Sequence, residues 1–150
     1  MANRPTDISA PAQGPAYVED ISAQAAWELL GADQAAVLVD VRTKGEWKHV
    51  GVPDLSTVSK RPLFIEWATE MGPNPNFETE LEQAAANHGD PVIFICRSGA
   101  RSAAAAAAMA ARGYIACYNL AGGFEATADL GPPQGTVGGW KVSGLPWEQS

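Results

Sequence analysis

The stretch that most limits the possible folds is a short apolar run that ends on a cysteine and leads directly into a helix. The run spans residues 91–95, Cys96 follows it, and the pattern predicts a helix from Ala100 to Arg112. A continuous apolar run of this length predicts a strand buried on both faces, which is typical of a parallel sheet. Residues 36–39 form a second such run. Strands of this kind alternating with helices predict an α/β fold with a mainly parallel sheet.

Weaker signals predict the remaining elements. Ser22 is a good N-cap for a helix that we expect to end at Gly31. A further helix is predicted over residues 77–88 and a further strand over residues 115–120. Residues 53–77 carry four prolines, so this segment is expected to be irregular, forming a flap or a short strand.

Charge and composition exclude several classes of protein. The chain has 150 residues, of which 46% are hydrophobic, which is enough for the core of one domain. Its 17 acidic and 10 basic residues leave a net charge of −7, which disfavours binding to nucleic acids or to anionic membranes. Residues 1–15 resemble a flexible leader rather than a signal peptide, and the predicted 13-residue helix is shorter than the roughly 20 residues of a membrane span. A cytoplasmic protein is the simplest interpretation.

The two cysteines carry no pairing signal. Cys96 and Cys117 form no CxxC pair, so neither a disulfide framework nor a structural zinc site is expected. Cys117 is predicted to lie about 10 Å below Cys96 along the sheet, in the core, and that separation is too long for a disulfide.

Cys96 stands where α/β proteins bind ligands, beyond the carboxyl end of a strand. The loop after it leads into a helix N-terminus, whose free N–H groups and dipole would stabilise a thiolate or a small oxyanion. Such surroundings favour the reactive thiolate form of a cysteine. A free cysteine is more often a buried core residue, but a core residue does not need the two arginines that follow at positions 97 and 101. The functional interpretation is therefore favoured.

Five segments, in this order along the chain, resemble the rhodanese family of sulfurtransferases. They are LVDVR at residues 38–42, Glu46-Trp47, VIFICRSGARS at 92–102, GYIACYNLAGGF at 113–124 and GWKVSGLPW at 139–147. The resemblance implies a three-layer α/β/α fold around a mainly parallel sheet of about five strands. It also implies one rhodanese-like domain over residues 16–150.

The resemblance implies a reaction as well. A sulfane sulfur would pass from thiosulfate or a persulfide donor to Cys96, and from the Cys96 persulfide to a thiol or cyanide acceptor, without a metal or an organic cofactor. The implied site consists of catalytic Cys96, the substrate-binding residues Arg97, Ser98, Gly99, Ala100, Arg101 and Ser102, and the supporting residues Asp40 and Arg42. One arginine of the loop is expected to face the donor anion, and the other to brace the loop through a carboxylate such as Asp40.

Two alternatives stay open. The segment KHVGVPDLS at residues 48–56 departs from the family's usual stretch after the Glu-aromatic pair, which is compatible with a sulfur-relay or binding module that depends on a partner protein. A cysteine phosphatase or an arsenate reductase is disfavoured, because phosphatases of this layout have Cys-x5-Arg and the spacing from Cys96 to Arg101 is Cys-x4-Arg.

Overall fold

A computed structural model of the chain describes residues 18–84, 87–126 and 139–149. The helices are α1 (Ala23–Ala32), α2 (Lys44–Val50), α3 (Phe77–Ala84) and α4 (Ala100–Ala111). The strands are β1 (Glu19–Ile21), β2 (Val37–Asp40), β3 (Val52–Pro53), β4 (Leu63–Phe64), β5 (Ala68–Thr69), β6 (Gly72–Pro73), β7 (Val92–Ile95), β8 (Cys117–Leu120) and β9 (Trp147–Glu148).

The central sheet has five strands in the order β1-β8-β7-β2-β4, and every neighbouring pair is parallel. The apolar runs that lead to Cys96 and Asp40 form the adjacent strands β7 and β2, with Ile95 in register with Asp40. Because parallel strands end at the same edge, the residues that follow them meet there. The expected α/β fold is confirmed, and the sheet is wholly parallel in the described residues.

Two apolar clusters cover the two faces of the sheet. One contains Phe77 and Leu81 of α3 and Met109 of α4. The other contains Leu30 of α1 and the fully buried Trp140. Helices therefore pack on both faces, and the three-layer α/β/α arrangement is confirmed.

The helix ends agree with the sequence in part. Ser22 caps α1 as predicted, because its Oγ accepts a hydrogen bond from the N–H of Ala25 at 3.0 Å. The predicted end at Gly31 is wrong: the helix continues to Ala32, and the N–H of Asp33 bonds the carbonyl of Leu29 at 3.0 Å. The helix predicted over residues 77–88 is too long at its carboxyl end, since residues 87–90 form a turn. In that turn the carbonyl of His88 accepts the N–H of Ile115, a contact that the sequence pattern does not reveal.

Residues 53–77 contain more structure than the sequence predicted. The segment holds a 3-10 turn, the edge strand β4 and the small β5–β6 hairpin. The Nζ of Lys60 anchors it by donating to the carbonyls of Asp33 and Ala36, both at 2.6 Å. The predicted short strand is thus present and completes the central sheet.

Some expectations fall outside the described residues. They include the leader at residues 1–15 and nearly all of residues 124–137, which lie between two glycine pairs and are expected to form a surface loop. A single domain over residues 16–150 stays a prediction. Within the residues that the structure describes, no helix has both the length and the apolar character needed to cross a bilayer.

Candidate active site

Cys96 lies at the carboxyl end of β7, where the chain turns into α4. Its Sγ accepts a hydrogen bond from the backbone N–H of Gly99, with an N–S distance of 3.1 Å. Gly99 is the N-cap of α4 and has φ 114°, a left-handed conformation that glycine adopts without strain. The loop thus curls around the sulfur and turns a backbone N–H towards it.

A second polar contact to the sulfur comes from the first turn of α4. The Oγ of Ser102, which is fully buried, lies 3.2 Å from Cys96 Sγ and 2.6 Å from Asn119 Oδ1. The Nδ2 of Asn119 donates to Asp20 Oδ1 at 3.0 Å. Sequence analysis missed Asn119 and Asp20. The available signal was an asparagine within the short strand β8, because a buried polar side chain requires a partner.

Two backbone carbonyl groups of the loop accept hydrogen bonds from the chain that follows β8. The carbonyl of Cys96 accepts the N–H of Phe124 at 2.8 Å, and the carbonyl of Arg97 accepts the N–H of Glu125 at 3.0 Å. Gly123 makes this approach possible, because a Cβ there would lie 2.5 Å from the carbonyl oxygens of both loop residues. The backbone of the loop is therefore held from the side away from the sulfur.

Arg101 braces the loop against α2. Its two terminal nitrogens, Nη1 and Nη2, donate to Glu46 Oε1 and Oε2 at 2.8 and 2.9 Å, which is the bidentate geometry that makes Arg–carboxylate pairs strong. Glu46 in turn closes a capping box with Thr43 at the start of α2. The brace was predicted through a carboxylate such as Asp40, but the carboxylate that the structure pairs with Arg101 is Glu46.

The charges of this pair are mutually stabilised. Burial opposes ionisation of Glu46, but hydrogen bonds from Arg101 and from the backbone of Thr43 outweigh it and lower the pKa of Glu46 from 4.5 to about 2. The hydrogen bond from Arg101 to Glu46 raises the pKa of Arg101 against the opposing effect of burial, and the negative charges of Glu46, Cys96 and Asp40 add to it. A permanent positive charge thus stands within Coulombic reach of Cys96.

Asp40 and Arg42 form a fully buried ion pair at the end of β2, with 2.8 Å between Arg42 Nη2 and Asp40 Oδ2. The same nitrogen donates to the carbonyl of Gly51 at 2.7 Å, and the guanidinium lies 4.3 Å from the ring centroid of Phe124. The backbone N–H of Phe124 bonds the carbonyl of Cys96. The Asp40–Arg42 pair therefore supports the loop through its contact with Phe124. It orders α2 and the chain after β8 rather than approaching the sulfur.

In the described residues, the other predicted site residues form no hydrogen bond to the sulfur. Arg97 is 67% exposed in its side chain and lies 3.6 Å from Glu125. Ala100 and Ser98 are exposed, and within the described chain the hydroxyl of Ser98 makes no hydrogen bond. Cys96 itself is only 1% exposed.

Cys117 belongs to the core. It is 1% exposed and stands in register with Val92, at the start of β7. Cys96 follows four residues further along that strand, or about 13 Å away, and both cysteines are free. Burial raises the pKa of Cys117 to about 11. Of the described residues, no three His, Cys, Asp or Glu side chains are grouped so that they would hold a metal ion.

Comparison with known proteins identifies the family. The model of the rhodanese-like domain matches residues 22–129, which include the strand ends and the loop just described. The chain belongs to the rhodanese-like family. The expectation drawn from the five sequence segments is thereby confirmed.

Several rhodanese-like relatives resemble the chain over most of its length. The crystal structure of Rv0390 from M. tuberculosis superposes with a TM-score of 0.76 at 43% identity, covering 89% of this chain and 99% of that one. The uncharacterized protein RP600 of Rickettsia prowazekii is 39% identical over 132 residues, which are 87% of this chain and 98% of the relative. The polysulfide-sulfur transferase homodimer of Wolinella succinogenes has a TM-score of 0.61 at 23% identity, with coverage of 89% and 80%, and at this identity the likeness concerns the fold alone.

The rhodanese-like closing segment at residues 139–147 lies beyond the matched region, yet it packs under the loop. The N–H of Trp140 donates to the carbonyl of Gly123 at 2.8 Å. The ring of Trp140 is fully buried and meets Trp27 edge to face at 5.9 Å. This segment therefore fixes the glycine turn that in turn holds the Cys96 carbonyl.

Proposed function

We propose that this rhodanese-like chain is a sulfurtransferase in which Cys96 is the nucleophile. The observation that carries the proposal is the environment of its sulfur, which accepts the N–H of Gly99 and touches the hydroxyl of Ser102. The guanidinium of Arg101, held by Glu46, stands in the first turn of the helix that follows the same loop. These groups stabilise negative charge on sulfur, and a thiolate is the form in which cysteine attacks.

In the first half-reaction the Cys96 thiolate attacks the outer sulfur of thiosulfate. A bond forms between Cys96 Sγ and that sulfur, the S–S bond of thiosulfate breaks, and sulfite leaves with the bonding electron pair. With a persulfide donor the leaving group is the donor thiolate instead. Either route leaves Cys96 as a persulfide, and neither needs an added oxidant or a metal.

In the second half-reaction an acceptor takes the outer sulfur. A thiolate or cyanide attacks it, the S–S bond of the persulfide breaks, and the electron pair returns to Cys96 as the thiolate. The products are a new persulfide or thiocyanate. The Gly99 N–H and the Ser102 hydroxyl stabilise the Cys96 thiolate, which attacks in the first half-reaction and is released in the second.

Arg97 and Arg101 have different roles in the proposed reaction. Both terminal nitrogens of Arg101 donate to Glu46, so Arg101 holds the loop in place and adds to the electrostatic field at the sulfur. Arg97 is the more exposed of the two, and among the described residues its only ion pair is the 3.6 Å contact with Glu125, so we assign the donor anion to it. The backbone of Ser98, Gly99 and Ala100 lines the same turn. A turn of this kind suits either the oxygens of a sulfonate or the terminal sulfur of a persulfide anion. Family membership supports sulfur transfer by this chain, and the assignment of the donor anion to Arg97 rests on the exposure of its side chain.

The test is sulfur loading followed by intact mass. The protein is incubated with thiosulfate, or with a persulfide donor, and the Cys96→Ser and Cys117→Ser variants are treated in parallel. We expect wild type and Cys117→Ser to gain the mass of one sulfur atom, and Cys96→Ser to gain none. A protein that gains no sulfur from either donor, or that releases phosphate from an aryl phosphate in a Cys96-dependent manner, would contradict the proposal.

A sulfur relay with a protein partner is the second candidate. The observation that favours it is that Cys96 is only 1% exposed. A docked partner that displaces the residues covering Cys96 would expose the sulfur. In this case loading from thiosulfate is slow, whereas exchange with a persulfidated protein is fast. Comparing the two loading rates on the same sample separates the candidates.

A further inference from the structure

Behind Ser102 lies a chain of hydrogen bonds that connects Cys96 to the outer strand of the sheet. Asp20 of β1 and Asn119 of β8 stand directly opposite each other in the parallel register. Their side chains are joined by the 3.0 Å bond from Nδ2 to the carboxylate, and Asn119 continues to Ser102 at 2.6 Å. Asn119 is only 6% exposed, so each polar atom of its amide needs a partner inside the protein.

The direction of these bonds follows from the chemistry of the groups. A carboxylate only accepts, so Asp20 must receive an N–H from Asn119, and the amide oxygen is thereby turned towards Ser102. Ser102 has a single hydroxyl proton but two acceptors within reach, the Asn119 oxygen and the Cys96 sulfur. The proton can serve only one of them at a time.

The charge on the sulfur decides which acceptor needs the proton. When Cys96 is a thiol, its S–H donates to Ser102 Oγ and the hydroxyl proton stays on Asn119. When the sulfur is a thiolate, Ser102 must rotate its proton onto the sulfur and release Asn119. No proton travels along the chain, because an amide between two partners orients them without passing a proton.

We propose that Asn119, held in place by Asp20, is a positioning residue that competes with the Cys96 sulfur for the Ser102 proton and so limits how strongly the loop stabilises the sulfur anion. The inference rests on the proposed function only in taking Cys96 as the reacting atom. It predicts that removing the competing oxygen makes the sulfur anion easier to form.

The charged groups around the sulfur determine what a pH profile of Cys96 reactivity reports. The charged side chains that form ion pairs or hydrogen bonds around Cys96 are Arg97, Arg101, Glu46, Asp40, Arg42, Glu125 and Asp20, and the same elements also carry Lys44, Lys48 and His49 on α2 and Glu19 on β1. Carboxylates and guanidinium groups keep their charge between mildly acidic and mildly alkaline pH. Every variant compared keeps His49, so a difference between the profiles of a variant and of wild type over that range reports on the sulfur.

The experiment is the pH–rate profile of Cys96 alkylation by iodoacetamide, followed on the tryptic peptide that carries Cys96. The Asn119→Leu variant keeps the size of the side chain and removes the amide. We expect its rate on the acidic limb of the profile to rise about fivefold, the worth of one ordinary hydrogen bond. Ser102→Ala is expected to lower the rate below that of wild type.

The decisive variant is the double substitution. Because Asn119 acts only through Ser102, Asn119→Leu should have no effect in the Ser102→Ala background. An equal rise in both backgrounds would overturn the proposal, as would an unchanged or lowered rate in the single variant. Alkylation does not depend on sulfur transfer, so a failure of the proposed function leaves this result interpretable, and the reverse also holds.

A surface variant keeps the test available if Asn119→Leu does not fold. Asp20 is exposed, and Asp20→Asn lets the Asn119 amide turn its N–H₂ towards Ser102, which frees the hydroxyl proton for sulfur. We expect a smaller rise in the same direction, about twofold. Glu70→Gln removes the same charge on the β5–β6 hairpin, and we expect no change from it. No rise in Asp20→Asn, or an equal rise in Glu70→Gln, would refute the role of Asp20 in holding Asn119.

Discussion

The Glu46–Arg101 pair offers the sharpest test of how the loop is held. Replacing Glu46 with Gln keeps the shape and one accepting oxygen but removes the charge that faces Arg101. The pKa of Glu46 is lowered from 4.5 to about 2, and a displacement of that size corresponds to about 3 kcal/mol of folding free energy at neutral pH. The side chains of Arg101 and Glu46 remain 29% and 22% exposed, so solvent screening reduces the expected loss to about 1 to 2 kcal/mol.

The pH dependence has a definite sign. The folded-state pKa of Glu46 lies below the unfolded value, so the contribution is complete above the unfolded pKa of 4.5 and is lost as the pH falls through about 2. Urea unfolding of wild type and Glu46→Gln should therefore differ most at neutral pH. By about pH 3 the difference should shrink by more than half.

A matched control is available on the surface. Glu82 also receives two hydrogen bonds from one arginine, Arg112, at 3.1 Å each, but this pair is more exposed. Glu82→Gln should cost less than Glu46→Gln at neutral pH. The reasoning is refuted if the two variants lose equal stability, or if the loss in Glu46→Gln does not change between neutral pH and pH 3.

Two further predictions follow from the close contacts of the site. Gly123→Ala should lower the free energy of unfolding by about 2 kcal/mol or more, because φ is 61° and the new Cβ would lie 2.5 Å from the carbonyl oxygens of Cys96 and Arg97. Gly144→Ala, at φ 79° with no atom within 4 Å, should cost only the backbone strain of about 1 kcal/mol, and equal melting temperatures for the two variants would contradict the packing argument. Cys117, whose pKa is raised to about 11 by burial, should resist thiol reagents at mildly alkaline pH in the native protein and react after unfolding. Modification of native Cys117 at the unfolded rate would show that the site is open.

The parts of the fold that the sequence predicted are those encoded locally. The apolar runs before Asp40 and Cys96 predicted strands buried on both faces, and they form the centre of the sheet. The helix start at Ser22 is a side-chain cap within one turn. The strand β1 was missed because three residues carry little periodic signal. Its position is set by pairing with β8, nearly one hundred residues away.

The site divides in the same way. The sequence alone determined that a cysteine stands at a strand end, with four residues between it and Arg101, in a loop that leads into a helix N-terminus. Only the tertiary structure decided what surrounds it: the partner of Arg101 lies 55 residues away in Glu46, and that of Asn119 lies 99 residues away in Asp20. Spacing within a motif is a local property, whereas the pairing of side chains from different strands and helices exists only once the sheet has brought their ends together.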